Sequence, residues 1–165
     1  MAFIIFLSFF IAQRLSELAI ARRNEGWLQA QGAVEYGQTH YPFIVLLHAS
    51  FILSMIGEYS WRGGQSLDVV FLILFLALIA AKAWVIASLG KYWNTKIFRV
   101  AGAPTVRRGL YKYVRHPNYI IVVCEFIVVP MVFHLYITAV VFSILNAAML
   151  RIRIREENKV WEKET

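Results

Sequence analysis

The segment Gly109-Leu110-Tyr111-Lys112-Tyr113-Val114-Arg115-His116-Pro117-Asn118-Tyr119 places a cation and an imidazole directly before a proline and an apolar run. Proline suits the first turn of a helix, so a helix is expected to start there. Arg115 and His116 then stand beside amide donors without helical partners, at the positive end of the helix dipole. A cation is disfavoured in that place unless an anion binds there. The chemistry implied is the holding of an anionic ligand. A plainer use is also open: Arg115 reaching a lipid phosphate and His116 capping the turn. A second group, Arg151-Ile152-Arg153-Ile154-Arg155-Glu156-Glu157, lies near the end of the chain. Arg153 and Glu157 share a helix face at i,i+4 in the weaker order for helix support, and Arg151 and Arg155 repel at the same spacing. Packed against the helix start near residue 117, this tail would gather Arg, His, Tyr and Glu around one cleft.

Other polar groups interrupt apolar stretches, where each is costly and therefore a functional candidate. Lys82 and Glu125 are both expected about 12 Å inside the membrane and able to meet as a buried pair, serving either helix packing or a ligand. Arg14 and Glu17, three apart, are expected to pair within their own helix. Asn146 is expected to cross-link helices. His40 and His48 lack metal-ligand spacing, so no metal site is expected. The one cysteine, Cys124, excludes an intrachain disulfide. All these groups fall toward one side of the membrane, and the opposite half is expected to be inert.

The elements that must position these residues follow from composition. With 165 residues, 59% hydrophobic and 16% charged, the chain is too apolar for a soluble domain, a disordered chain or a nucleic-acid-binding arm. The expectation is an all-α integral membrane protein, one domain over residues 1–165. About five transmembrane helices are expected, at 3–21, 43–57, 69–89, 119–134 and 135–150. As one helix the stretch 119–150 would measure about 48 Å against a hydrocarbon core of about 30 Å. Pro130, with His134 just beyond, is the natural break, so the last two helices form a hairpin.

The net charge of +7 is concentrated: residues 91–116 carry Lys91, Lys96, Arg99, Arg107, Arg108, Lys112 and Arg115 and no acid. With Arg22, Arg23 and the tail from Arg151, this segment is expected on the cytoplasmic side of the cell membrane. The N-terminus is then outside and the C-terminus inside. Ala19-Ile20-Ala21 resembles a cleavage site, but Arg14 and Glu17 interrupt the apolar run and no basic segment precedes it, so residues 1–21 are read as a span. Trp61, Tyr92 and Trp93 are read as interface anchors.

Three pieces of this sequence resemble the isoprenylcysteine carboxyl methyltransferases and their prokaryotic relatives. Gly109 to Tyr119 is similar to the family's Gly-x-Tyr-x-x-x-Arg-His-Pro-x-Tyr signature, Arg153 to Glu157 to its Arg-x-x-x-Glu element, and Gly90 to Asn94 to an upstream loop. The likeness covers about the last 80 residues well; the first two helices, with Arg14, Glu17, Glu35 and His40, resemble the small bacterial branch more loosely. Ile121 stands where the family motif has glycine. The resemblance implies a membrane enzyme that binds S-adenosylmethionine outside any Rossmann domain, through a cytoplasmic cofactor-binding loop and a C-terminal helix. His116, Tyr113, Tyr119 and Glu156 would hold the cofactor and Asn94 would close over it. Arg115 and Pro117 would shape the turn, and Arg153 and Glu157 would form the essential pair.

Methyl transfer from a sulfonium is an in-line displacement that demands alignment and exclusion of water. A carboxylate or acidic enol is already anionic near neutral pH, so Arg153 would orient it while Glu157 contacts the cofactor or takes a proton. The acceptor expected is a lipophilic small molecule, such as an alkyl-pyrone, entering sideways from the bilayer. Two readings compete: an NADPH-dependent lipid reductase of similar membrane architecture, and a non-catalytic lipid-binding protein.

Overall fold

A computed structural model describes residues 1–100, 102 and 108–162; Arg107, one of the seven clustered cations, lies outside the described residues. Five helices carry the fold: α1 (Ala2–Ala30), α2 (Tyr41–Trp61), α3 (Val69–Leu89), α4 (Pro117–Met131) and α5 (Tyr136–Glu162). Among the described residues, α1, α2, α3 and α5 are long and apolar enough to cross a membrane, whereas α4 is a shorter apolar helix. The expected hairpin of two similar halves is therefore unequal. α4 has 15 residues, α5 has 27, and α5 runs on to include the polar tail. The break falls where Pro130 placed it, at residues 132–135, with His134 in the left-handed region at φ 53°.

α1 shows how the bundle is filled. Phe3, Phe6, Leu7 and Phe10 recur at helical spacing and are buried. They meet an aromatic core from the other helices: Phe3 stacks on Tyr59 at 3.8 Å, Phe6 tilts against Phe75 at 5.0 Å, and Phe10 lies edge-on to Phe51 at 6.2 Å. Further along the same stripe the buried residues become polar, with Glu17 and Asn24. Arg14 binds Glu17 at 3.0 Å and crosses to Glu125 of α4 at 2.7 Å, and Lys82 of α3 binds the same Glu125 oxygen at 3.2 Å. The expected pairs Arg14–Glu17 and Lys82–Glu125 both form, and Arg14 fuses them into one cluster with two positive and two negative groups. Charge balance is what allows such groups inside a membrane protein.

The half expected to be inert is instead a polar clasp. Glu58 of α2 accepts hydrogen bonds from the first amides of α5, Ile137 N at 3.1 Å and Thr138 N at 2.7 Å, so a carboxylate from another helix caps that end. Arg62 lies 3.7 Å from Glu58 and donates to the His134 carbonyl. Asp68 caps α3 through Val70 N and Phe71 N, and its own amide donates to the Val132 carbonyl at 2.8 Å.

At the opposite end, three-residue strands β1 (Val34–Tyr36) and β2 (Ile97–Arg99) pair antiparallel, with Glu35 opposite Phe98. This ribbon ties the α1–α2 connection to the segment after α3. It was not expected, because three residues leave no readable alternation.

Candidate active site

The two sequence groups meet as expected. A 3₁₀ turn at Gly109–Lys112 leads into α4. Gly109 has φ 54°, and a Cβ there would collide with the Ser88 hydroxyl on α3. Only glycine lets the turn adopt this conformation and press so closely on α3. Pro117 takes the first helical position and is buried. His116 occupies the N-cap position, yet its side chain makes no capping bond, which removes the plainer reading of that residue. Its ring instead stacks on Tyr119, with centroids 5.0 Å apart and planes 12° from parallel.

The Tyr119 hydroxyl joins the two halves of the site. It donates to Glu157 Oε2 at 2.6 Å and accepts from Arg153 Nε at 3.0 Å. The Arg153 guanidinium also lies 5.3 Å over the Tyr119 ring, and His116 Nδ1 is 3.7 Å from the same Glu157 oxygen. A second arm of Arg153, Nη2, donates to the Thr95 carbonyl at 2.7 Å, which fixes the guanidinium between α4 and the post-α3 segment. Arg153 and Glu157 are thus held as a unit, one turn apart on α5.

These residues border a cavity of about 660 Å³, within the range of cofactor-sized sites. Asn94, Tyr113, Arg115, His116, Tyr119, Arg153 and Glu157 all lie on its wall. Tyr113 is 78% exposed and sits at the mouth. Tyr111, the tyrosine that the signature itself contains, is more enclosed, and burial with the nearby Glu157 charge pushes its hydroxyl up to about 12. It is therefore a hydrogen-bonding and stacking group that stays protonated at neutral pH. The remaining wall adds Trp93, Lys96, Arg99, Lys112 and Asn118. Lys96 is held by Glu25 at 2.7 Å and Glu35 at 3.4 Å; the bond to Glu25 is the main cause of its raised pKa.

Several expectations change in detail. Asn94 reaches the wall, but its amide donates to the Ala21 carbonyl of α1 at 3.0 Å and its oxygen accepts from Lys96 N at 2.9 Å. Its polar atoms serve the loop's own shape. Glu156 is off the wall and pairs with Lys159, whose hydrogen bond lowers its pKa; at i+3 from Arg153 it points to a different face from Glu157. Trp93 is no interface anchor: it is 2% exposed, packed with Ala21, Val85 and Ile121. Trp61 and Tyr92, by contrast, are exposed. Ile121 also belongs to that apolar cluster and not to the cavity wall, so its departure from glycine leaves the cavity untouched. Lys82 and Glu125 are likewise absent from the wall. Asn146 is buried, and its Nδ2 has no protein partner among the described residues.

Sequence reasoning missed Asn24, Thr95 and Asn118. Thr95 acts through its backbone carbonyl, which no residue type reveals. Asn118 occupies a variable position of the signature.

The sequence profile of the Isoprenylcysteine carboxyl methyltransferase (ICMT) family matches residues 71–163, more than half of the chain. The chain belongs to that family. The match runs from within α3 through α5 and includes every residue of the cavity wall except Leu28 of α1. Membership makes this ICMT-family chain a membrane methyltransferase by family, and its long apolar helices make it a multi-pass one. It is similar to "Uncharacterized protein YpbQ" of Bacillus subtilis (strain 168), 39% identical over 165 residues that cover 98% of this chain and 97% of the relative. An "Uncharacterized protein" of Haemophilus influenzae (strain ATCC 51907 / DSM 11121 / KW20 / Rd) is 30% identical over 150 residues, 89% of this chain and 87% of the relative. No solved structure matches.

Proposed function

We propose that this protein methylates an oxygen of an amphipathic small molecule, a carboxylate or an acidic enol such as that of an alkyl-pyrone, with S-adenosylmethionine as donor. The cleft faces the cytoplasm, and the acceptor reaches it from the bilayer. The observation that carries the reading is the Arg153–Tyr119–Glu157 unit, with His116 beside it, on the wall of one cofactor-sized cavity.

The residues present fit such a donor. Two wall residues have buried polar atoms without a partner among the described residues, Asn118 Oδ1 and Trp93 Nε1, and a buried atom of this kind is costly unless a ligand or water completes it. Lys112 and Arg115 supply charge for a carboxylate, and Tyr111, Tyr113, Tyr119 and His116 supply faces for a purine and for a sulfonium. Asn94 contributes by shaping the loop. When bound, S-adenosylmethionine supplies an electrophilic methyl group.

The chain's own work is then alignment. Arg153, fixed by Tyr119 and Thr95, presents a guanidinium that orients the acceptor's anionic oxygen. Glu157, held by the Tyr119 hydroxyl on Oε2, offers its other carboxylate oxygen to a cationic or hydroxyl group, or takes the proton of an un-ionised enol. Alignment of this kind is worth up to about 7–11 kcal/mol of a displacement barrier.

Calorimetric titration of the detergent-purified protein with S-adenosylhomocysteine, and with NADPH in parallel, tests the reading. Saturable binding of S-adenosylhomocysteine, weakened by His116→Ala, is expected, with Arg153→Ala and Glu157→Ala acting mainly on turnover. Binding of NADPH alone, or of neither ligand to folded protein, would overturn it.

A further inference from the structure

The segment 90–96, which supplies part of the cavity wall, is gripped by α1. Asn24 is buried, and its Nδ2 donates to two carbonyls of the segment, Gly90 O at 3.2 Å and Trp93 O at 2.7 Å. The segment answers through Asn94, whose Nδ2 donates to Ala21 O one turn earlier on α1 at 3.0 Å. Lys96 adds an ion pair to Glu25 of α1 at 2.7 Å. Between these anchors lies Thr95, whose carbonyl receives Arg153 at 2.7 Å. A continuous chain of bonds therefore runs from α1 through the loop to the guanidinium. α1 is itself fixed in the bundle by Arg14 on Glu125, ten residues or about 15 Å of helix before Asn24.

We propose that Asn24, on a helix outside the segment that matches the family, is a positioning residue. It sets the path of residues 90–96, and with it the cavity wall and the Thr95 carbonyl that aims Arg153. The geometry favours this over simple helix packing, because the shorter bond, 2.7 Å, goes to the carbonyl of Trp93, a cavity-wall residue beyond the end of α3, and only the longer one, 3.2 Å, goes to Gly90 at the C-cap of that helix. The catalytic consequence rests on the methyltransferase reading above; the clasp itself does not.

Asn24→Asp keeps size and shape but turns a carboxylate toward two carbonyl oxygens, so it should break the clasp outright. Loss of both hydrogen bonds predicts S-adenosylhomocysteine binding weakened roughly tenfold or more. Amide hydrogen exchange in the full-length protein should quicken over residues 89–96 and stay unchanged in α2 and in the first half of α5. Asn24→Ala, which removes the donor without adding charge, should give a smaller shift in the same direction and serves if the aspartate variant does not fold. Glu58→Ala, which loosens the far end of the bundle, is the control: it should lower thermal stability and leave affinity within about twofold. The inference is overturned if affinity and exchange in the Asn24 variants match the wild type, or if Glu58→Ala weakens binding by the same factor. Should the wild-type protein bind no S-adenosylhomocysteine, the functional reading fails instead, and the exchange rates over 89–96 alone decide for or against the clasp.

Discussion

The buried cluster Arg14, Glu17, Lys82 and Glu125 gives a double-substitution test whose sign is fixed by charge counting. The four groups sum to zero in the folded protein, with both cations on Glu125 Oε2 at 2.7 and 3.2 Å. Glu125→Gln leaves Arg14 and Lys82 facing only Glu17, a buried excess positive charge. Lys82→Met leaves the opposite excess. Removing one partner of a buried pair costs about 3–5 kcal/mol, which for a chain of this size corresponds to a thermal midpoint lower by roughly 6–20 °C. The double variant Lys82→Met/Glu125→Gln restores neutrality, because Arg14 and Glu17 remain paired at 3.0 Å. It should be less destabilised than the sum of the single variants, with an interaction energy of about 2–3 kcal/mol in the double-mutant cycle. Thermal unfolding of the four proteins in one detergent measures this. A double variant as destabilised as the sum of the singles would refute charge balance as the reason these groups are tolerated.

Three further outcomes are expected. Tyr119→Phe removes the hydroxyl shared by Arg153 and Glu157; with charged hydrogen bonds worth about 1.5–3 kcal/mol, kcat/KM should fall roughly 10- to 100-fold in a methyl-transfer assay while the helical content by circular dichroism is unchanged. Gly109→Ala forces a side chain into the left-handed region and against Ser88, so the thermal midpoint should drop by an amount corresponding to about 1–3 kcal/mol; Ser88→Ala in the same chain should recover part of it. His40 has a pKa lowered by burial and then by the Arg153 charge. Its folded pKa therefore lies below its unfolded one, so the unfolded chain binds the proton more readily and stability falls as pH drops below about 6.5. His40→Gln should flatten the thermal-midpoint profile between about pH 7 and 5.

How far the sequence could be read depended on whether a structure leaves its mark in residue types. α3 was legible to the residue, because an apolar run broken only by Lys82 and Ser88 ends at Asp68 on one side and Gly90 on the other. The break after Pro130 was legible because one helix could not have fitted the bilayer. That Arg153 and Glu157 share a face of α5 followed from their i,i+4 spacing; the Tyr119 hydroxyl that joins them did not. What stayed hidden depends on partners far along the chain: Arg14 reaching Glu125, Glu58 capping α5 across 79 residues, and Asn24 bonding backbone carbonyls that carry no sequence signature. Trp93 was misread because a tryptophan near a span end suits the interface equally well, and only the neighbours Ala21, Val85 and Ile121 show it to be enclosed.

The shortness of α4 bears on where in the bilayer the proposed chemistry would take place. Its 15 residues rise about 22 Å, against a hydrocarbon layer of about 30 Å. On the topology proposed above, with the α4–α5 turn held at the outer boundary, the beginning of α4 would stop about 8 Å short of the cytoplasmic one. His116 and Tyr119 would then work below the headgroup plane, at the depth of the first acyl carbons. A lipid could present its reactive head there while its chain remained among its neighbours, and only the water-soluble reactant would need to descend.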